Sequence, residues 1–282
     1  MKHPSHSPLM YKNLRYQRNL REAIMKDFTL HAYTLLLEAL QKMGYAFQTV
    51  EGFIQQPLDK VVILRHDVDS WPANALQMAK VEAERGIKAT YYFRRSWLSY
   101  NEKVLLGIIK LGHEIGYHYE DLSACNGDKK AAIKRFEQNL RFYRQFYPVR
   151  TIAMHGRPLS PWDSKDLWKS YDYHKYGLTG EPYLDFDFGK MAYLTDTGNC
   201  WDGDRFSVRD HVQSGFKYSI HSTLQLIEHL KDNKLPNYVM LNVHPARWND
   251  NSLKWCIRYY VLSLPKYQAK IMLKRLRNKS RL

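Results

Sequence analysis

Asp67 and Asp69 stand two residues apart at the end of the apolar run Val61-Val62-Ile63-Leu64. Three histidines close other apolar runs: Glu114-Ile115-Gly116-Tyr117 leads into His118, Thr151-Ile152-Ala153-Met154 into His155, and Val239-Met240-Leu241-Asn242-Val243 into His244. Residues two apart on a strand share a face. The two carboxylates therefore oppose each other's ionisation unless a cation lies between them. A divalent metal removes that conflict by taking one carboxylate as a ligand and leaving the other as a base. Two Asp and three His in one place are the materials of a metal-assisted hydrolase. Arg65 shares the face of Asp67 and is placed to orient it through a charge-assisted hydrogen bond, the plainer reading being an ordinary salt bridge.

These groups meet only if the runs are parallel strands whose C-terminal ends share one rim, where α/β folds build their sites. The rest of the chain supplies the helices this requires. Thr29 predicts an N-cap for a helix through Leu30, Tyr33, Leu36, Leu37, Leu40 and Met43, stopped by Gly44. A strand over 61–67 follows, and Ser70 with Pro72 opens a helix ending at Gly86. Lys88–Arg94 reads as a strand, Asn101 caps a helix to Leu111-Gly112, and 113–118 is a strand. Asp128 opens a long helix to Phe146, and 151–155 is a strand. Residues 156–218 are aromatic and rich in Asp and Gly, with short strands near Leu178 and at Met191–Thr195. Ser219–Asp232 reads as helix, 238–244 as strand, and 252–280 as mostly helix interrupted by Pro265. Alternating strands and helices argue for right-handed βαβ units and a parallel sheet. Six or seven strands fit an incomplete barrel or an open doubly wound sheet. No linker or repeat divides residues 1–282, so a single domain is expected.

Of the net charge of +15, +7 falls in residues 266–282 and +5 in residues 1–26, leaving +3 for the body. A basic groove for nucleic acid would load the body as well, so nucleic acid is not the expected partner. The basic ends read as solvated arms or as contacts to an anionic membrane surface. Ala269, Met272, Leu273 and Leu276 have helical spacing among basic residues. That suits a helix lying on such a surface or one packed on the body. No uncharged apolar stretch of membrane-spanning length is present, and Met1-Lys2-His3-Pro4 leads into charged sequence rather than a signal peptide. Cys125, Cys200 and Cys256 are scattered and form no paired framework. A cytoplasmic protein is the expectation, with peripheral contact at the inner membrane face the reading that the basic ends add.

Val61-Val62-Ile63-Leu64-Arg65-His66-Asp67-Val68-Asp69, then Gly112-His113-Glu114-Ile115-Gly116-Tyr117-His118, then Leu241-Asn242-Val243-His244 resembles the polysaccharide deacetylase (NodB-homology, carbohydrate esterase 4-like) superfamily. The resemblance spans roughly residues 60–245. It implies an α/β fold, a distorted, incomplete (β/α)7 barrel. It also implies Asp67 as base, Asp69 and His118 as metal ligands and His244 as acid. Two departures stand out. Val68 separates an Asp pair that the family writes as neighbours, and Leu122, four residues after His118, occupies the position of the family's second metal ligand. Three protein ligands plus water is the usual catalytic arrangement for zinc. A replacement is therefore needed, with His155 the first choice and Glu120 the second. His113 begins its strand and is expected to be structural.

Long loops at a site rim usually carry specificity. In residues 157–203, Arg157, Tyr183, Asp196 and Trp201 mix rings with hydrogen-bonding groups and are candidate sugar contacts. The same mixture suits loop packing. Together these readings describe a metal-dependent hydrolase, with Zn²⁺ the expected ion, removing an N-acyl group from an N-acetylated sugar or glycan precursor. The alternatives are a lapsed, glycan-binding protein of the same fold and a hydrolase of another amide.

Overall fold

In the computed structural model, residues 26–157, 159–202, 212–257, 260–261 and 272 are described. The basic arms, apart from Lys26 and Met272, and the helical spacing around Met272 lie outside these residues, as does most of the helix expected over 252–280.

Thr29 accepts the Ala32 N–H and starts α1 (Leu30–Lys42), whose apolar face is buried. β1 (Ala46–Gln48) and α2 (Val50–Gln55), capped by Thr49, follow. β2 (Val61–Val68) is buried along its whole length. α3 (Pro72–Ala83), β3 (Thr90–Phe93), α4 (Glu102–Lys110) and β4 (Glu114–Tyr119) continue the alternation. The short α5 (Asp121–Ala124) and long α6 (Lys129–Arg144) lead to β5 (Ile152–Met154). After two 3₁₀ turns come α7 (Pro182–Asp185), β6 (Met191–Thr195), α8 (Thr223–Lys231), β7 (Tyr238–Val243) and α9 (Ser252–Cys256).

Hydrogen bonding runs β5-β4-β3-β2-β7-β6, every pair parallel, with β1 beside the first half of β2. Read as a ring, chain order is kept from β2 to β7, and β7 rejoins β2. One seam stays unpaired, between β5 and β6. The fold is thus a distorted, incomplete α/β barrel. A single bridge at the seam joins Thr151 to Gly180, and Glu181 there accepts the Met154 N–H at 2.9 Å.

The period of two along each strand sorts the side chains. Val62, Leu64 and Val68 of β2, Ile115 of β4 and Leu241 of β7 pack outward in the main core with the helices. Ile63, Tyr92, Ala153, Met191 and Met240 fill the ring interior. The Tyr92 ring lies across Gly116, where an added Cβ would stand 2.2 Å from it, so only glycine fits there. Above this apolar plug, the same inward face carries Arg65, Asp67, His118 and Asn242 to the C-terminal rim.

The structure departs from the local expectations in three places. β1 and α2 were not foreseen. Ser70 does not cap α3; Trp71 holds the N-cap position in left-handed backbone (φ 53°) with no side-chain cap. No strand forms at Leu178, where only the Gly180 bridge appears. Of the helix expected over 252–280, the described residues hold α9 and further helical positions at 257, 260, 261 and 272, and the rest lies outside them. No described helix is long and apolar enough to cross a membrane.

Candidate active site at the C-terminal rim

β2 delivers three charged groups to one place. Arg65 is fully buried, so its guanidinium needs a partner. It donates to both oxygens of Asp67, Nε to Oδ1 at 2.8 Å and Nη2 to Oδ2 at 2.9 Å. The Tyr183 ring stands 4.6 Å from its guanidinium carbon and the Tyr92 ring 5.6 Å. Burial alone would raise the Asp67 pKa, but Arg65, with His118 and His244, holds it below the ordinary carboxylate value. Asp69 follows where its N–H bonds back to the Asp67 carbonyl at 3.1 Å. Burial again favours the neutral acid, and His155, His118 and His244 outweigh it, so Asp69 stays ionised.

His118, on the inward face of β4, points its Nδ1 at the Ala153 carbonyl, 2.9 Å away. A carbonyl only accepts, so the proton sits on Nδ1 and Nε2 keeps its lone pair. That Nε2 stands 3.6 Å from Asp67 Oδ2 and 3.6 Å from Asp69 Oδ1. Burial pushes the His118 pKa down to about 4, keeping the ring neutral at neutral pH. His155 directly follows β5, held by its N–H on the Tyr119 carbonyl. Its Nδ1 is 2.7 Å from Glu120 Oε2, and its Nε2 is 3.4 Å from Asp69 Oδ1. Glu120 therefore lies behind His155 rather than beside it. It also accepts two bonds from Arg94 Nη2, at 2.9 and 3.1 Å. Burial opposes its ionisation, and His155 and Arg94 more than compensate, bringing its pKa down to about 2.

His244 follows β7 with its Nδ1 2.6 Å from Asp196 Oδ1 and its N–H on Asp196 Oδ2 at 2.8 Å. Trp248 Nε1 donates to the same carboxylate at 2.8 Å, and Arg247 also donates to it. Burial disfavours the charge on Asp196, but Arg247 and His244 bring its pKa down to about 2. Asp67, Asp69, His118, His155 and His244 line one cleft of about 50 Å³, together with Gly156, Thr197 and Arg247.

The four candidate sugar contacts separate. Asp196 is fully buried behind His244, and Trp201 is buried with its Nε1 on Thr223 Oγ1 at 3.1 Å, so neither faces the cleft. Tyr183 stacks over Arg65 and bonds Tyr193 through its hydroxyl at 3.1 Å, beneath the cleft rather than in its wall. Arg157 alone is at the open rim, 45% exposed, its Nε 3.9 Å from Glu120. Sequence reasoning passed over Gly156, Arg247 and Arg94. The run His244-Pro245-Ala246-Arg247-Trp248 was the available signal, placing two donors just past a strand end in search of a buried acceptor.

No family model matches the chain, and no curated protein matches it. Solved structures do resemble it. A mutant of a carbohydrate esterase family 4 pseudoenzyme with restored enzymatic activity is similar at a TM-score of 0.43 and 12% identity, over 80% of this chain and 65% of that one. The wild-type pseudoenzyme, from Bacillus anthracis, is similar at 0.41 and 11%, over 76% and 63%. A family 4 carbohydrate esterase from Streptomyces lividans in complex with acetate is similar at 0.40 and 15%, over 77% and 90%. The chain thus spans under two thirds of the length of the two pseudoenzyme structures.

Among the described residues, no group of three or more His, Cys, Asp or Glu side chains forms a ready-made metal site. What the cleft does contain is an unmatched acceptor. Asp69 Oδ1 is buried and has no hydrogen-bond partner, although two imidazole Nε2 atoms face it. Leu122, four residues after His118, is buried in the main core.

Proposed function

We propose that this cleft is the active site of a metal-dependent amide hydrolase that removes an N-acyl group, acetyl being the simplest, from an N-acetylated sugar or glycan precursor. The observation that carries the reading is the orphaned Asp69 Oδ1, with lone-pair nitrogens of His118 and His155 at 3.6 and 3.4 Å. A buried carboxylate oxygen facing two acceptors is costly as it stands, and a cation among them resolves it. Two ligands about 2.0–2.1 Å from one tetrahedral zinc lie roughly 3.3 Å apart. The two separations miss that value by a few tenths of an ångström, so small side-chain movements would complete the set. Asp69, His118 and His155 would hold the ion, with Glu120 outside the ligand set. When bound, a zinc-class ion supplies Lewis acidity toward the amide carbonyl and lowers the pKa of water.

The chain's own groups do the rest. Arg65 grips both Asp67 oxygens along one edge, so the carboxylate presents a fixed lone pair to take the proton of an attacking water. The grip lowers its basicity while setting its direction. His244 holds its Nδ1–H against Asp196, leaving Nε2 to hand a proton to the departing amine. Asp196, already ionised, stabilises the imidazolium that this role requires. Arg247 adds positive charge to the same wall, and Arg157 is the rim group placed to meet the glycan.

A second reading keeps the cleft and discards the turnover: a lapsed site that binds a glycan. The absence of a ready-made chelating group among the described residues and the burial of Leu122 favour it. Metal analysis with acetate release from chitin oligomers and from a nucleotide-linked N-acetyl sugar separates the two. About one zinc or cobalt per chain, lost in Asp69→Ala, and acetate release lost in Asp67→Asn support the hydrolase. Glycan binding without metal, unchanged in Asp69→Ala, supports the second reading.

A further inference from the structure

We propose that Glu120, clamped by Arg94, is the positioning residue that makes His155 a metal ligand. The inference rests on the metal site proposed above and concerns what holds its third ligand, Leu122 being unable to bind metal. His155 lies just past β5, a strand of three residues at the open seam, so the strand alone holds its ring loosely. Two bonds fix it. Its N–H donates to the Tyr119 carbonyl, and its Nδ1 meets Glu120 Oε2 at 2.7 Å. A carboxylate at Nδ1 selects the tautomer whose Nε2 carries the lone pair, and that nitrogen faces Asp69.

Glu120 is itself anchored. Arg94 donates to both of its oxygens, and the Arg94 N–H donates to Ser99 Oγ at 3.0 Å. Ser99 is fully buried and donates in turn to the Val68 carbonyl, the residue before Asp69. A circuit of side chains and backbone therefore runs from the end of β2 through Ser99, Arg94 and Glu120 to His155, and closes across the cleft on Asp69. The two ligands belong to distant strands, and this circuit sets their separation. Arg94 also neutralises Glu120, so the site gains orientation without an additional net negative charge.

The test uses the full chain, stripped of metal. Zn²⁺ affinity is measured by chelator competition and Co²⁺ binding by visible absorption, for wild type, H155A, E120A, E120Q and R94A. Circular dichroism and thermal melting of each metal-free protein report folding. Expected is a loss of about 10–100-fold in Zn²⁺ affinity for E120A, the range for removing a partner of a ligating histidine. E120Q, whose amide oxygen still accepts the Nδ1–H, recovers most of that loss, and R94A falls between. H155A loses more than any of them and changes the Co²⁺ spectrum. A wild type that binds metal while E120A binds it within about threefold overturns the inference and leaves the hydrolase reading standing. If H155A binds as wild type does, the inference falls together with the ligand set proposed above. A wild type that binds no Zn²⁺ overturns both.

Discussion

Replacing Asp196 by Asn tests whether the His244 arm of the site is held by a buried charge. Asp196 is fully buried and accepts from the His244 N–H, His244 Nδ1, Arg247 and Trp248 Nε1. Its carboxyl titrates at about 2 in the folded chain against an ordinary 3.8, a difference worth about 2 kcal/mol. Because the folded value is the lower one, that stability is present above pH 3.8 and drains away as pH falls toward 2. Asn also turns an amide NH₂ toward a site built from donors. That leaves a buried donor unmatched at a cost of about 1–3 kcal/mol. The total of about 3–5 kcal/mol agrees with breaking one partner out of a buried ion pair. Urea unfolding followed by tryptophan fluorescence, with Trp248 as a reporter in direct contact, measures it between pH 3 and 8. The deficit of D196N is expected to be flat above about pH 5 and to shrink below about pH 4, where the carboxyl of the unfolded wild-type chain takes up its proton while the folded one is still ionised. A variant within about 1 kcal/mol of wild type at pH 7, or a deficit indifferent to acid, would refute the reasoning.

Glu181 gives the opposite sign. Burial, opposed chiefly by Arg65, raises its pKa from 4.5 to about 7, so the folded state retains its proton longer than the unfolded state. Stability from this group is greatest below pH 4.5 and falls by about 3 kcal/mol as pH rises through 7. E181Q lacks that slope, so urea titrations should show its stability gaining on wild type by about that amount between pH 4.5 and 8. Gly116→Ala places a Cβ 2.2 Å from the Tyr92 ring and 2.9 Å from the Thr151 carbonyl oxygen. It is expected to cost about 3 kcal/mol or more by overpacking. Adding Tyr92→Leu should return part of the loss, and a strictly additive double variant would contradict the contact.

Strand ends carried most of what could be read in advance. Inward alternation on β2, β4 and β7 and the position just past β5 place Asp67, Asp69, His118, His155 and His244 without any knowledge of packing, because a period of two is a local property. The choice between His155 and Glu120 was not local. Glu120 leaves the strand at ψ 22°, and only the third dimension shows it behind the imidazole. Asp196 looked like a loop carboxylate free to meet a hydroxyl. Its partners come some fifty residues later, on the far side of a helix and a strand. Trp201 carried no sign of its burial, since aromatic side chains serve cores and sugar platforms alike. β1 escaped notice because three residues are too few to establish a period, and its existence depends on the neighbouring edge of β2.

At the seam, a side chain does the work of a neighbouring strand. The Met154 N–H, which would otherwise bond the next strand, ends on the Glu181 carboxyl. Burial makes the ionised carboxyl the costlier form here, so the seam closes best while Glu181 keeps its proton. Amide hydrogens along this edge should therefore exchange faster as pH rises through 7, and the Met154 amide should lose protection beyond the intrinsic rate sooner than those on the fully laddered β2. A barrel latched by a carboxyl can slacken on one flank while the rest of its girdle stays intact.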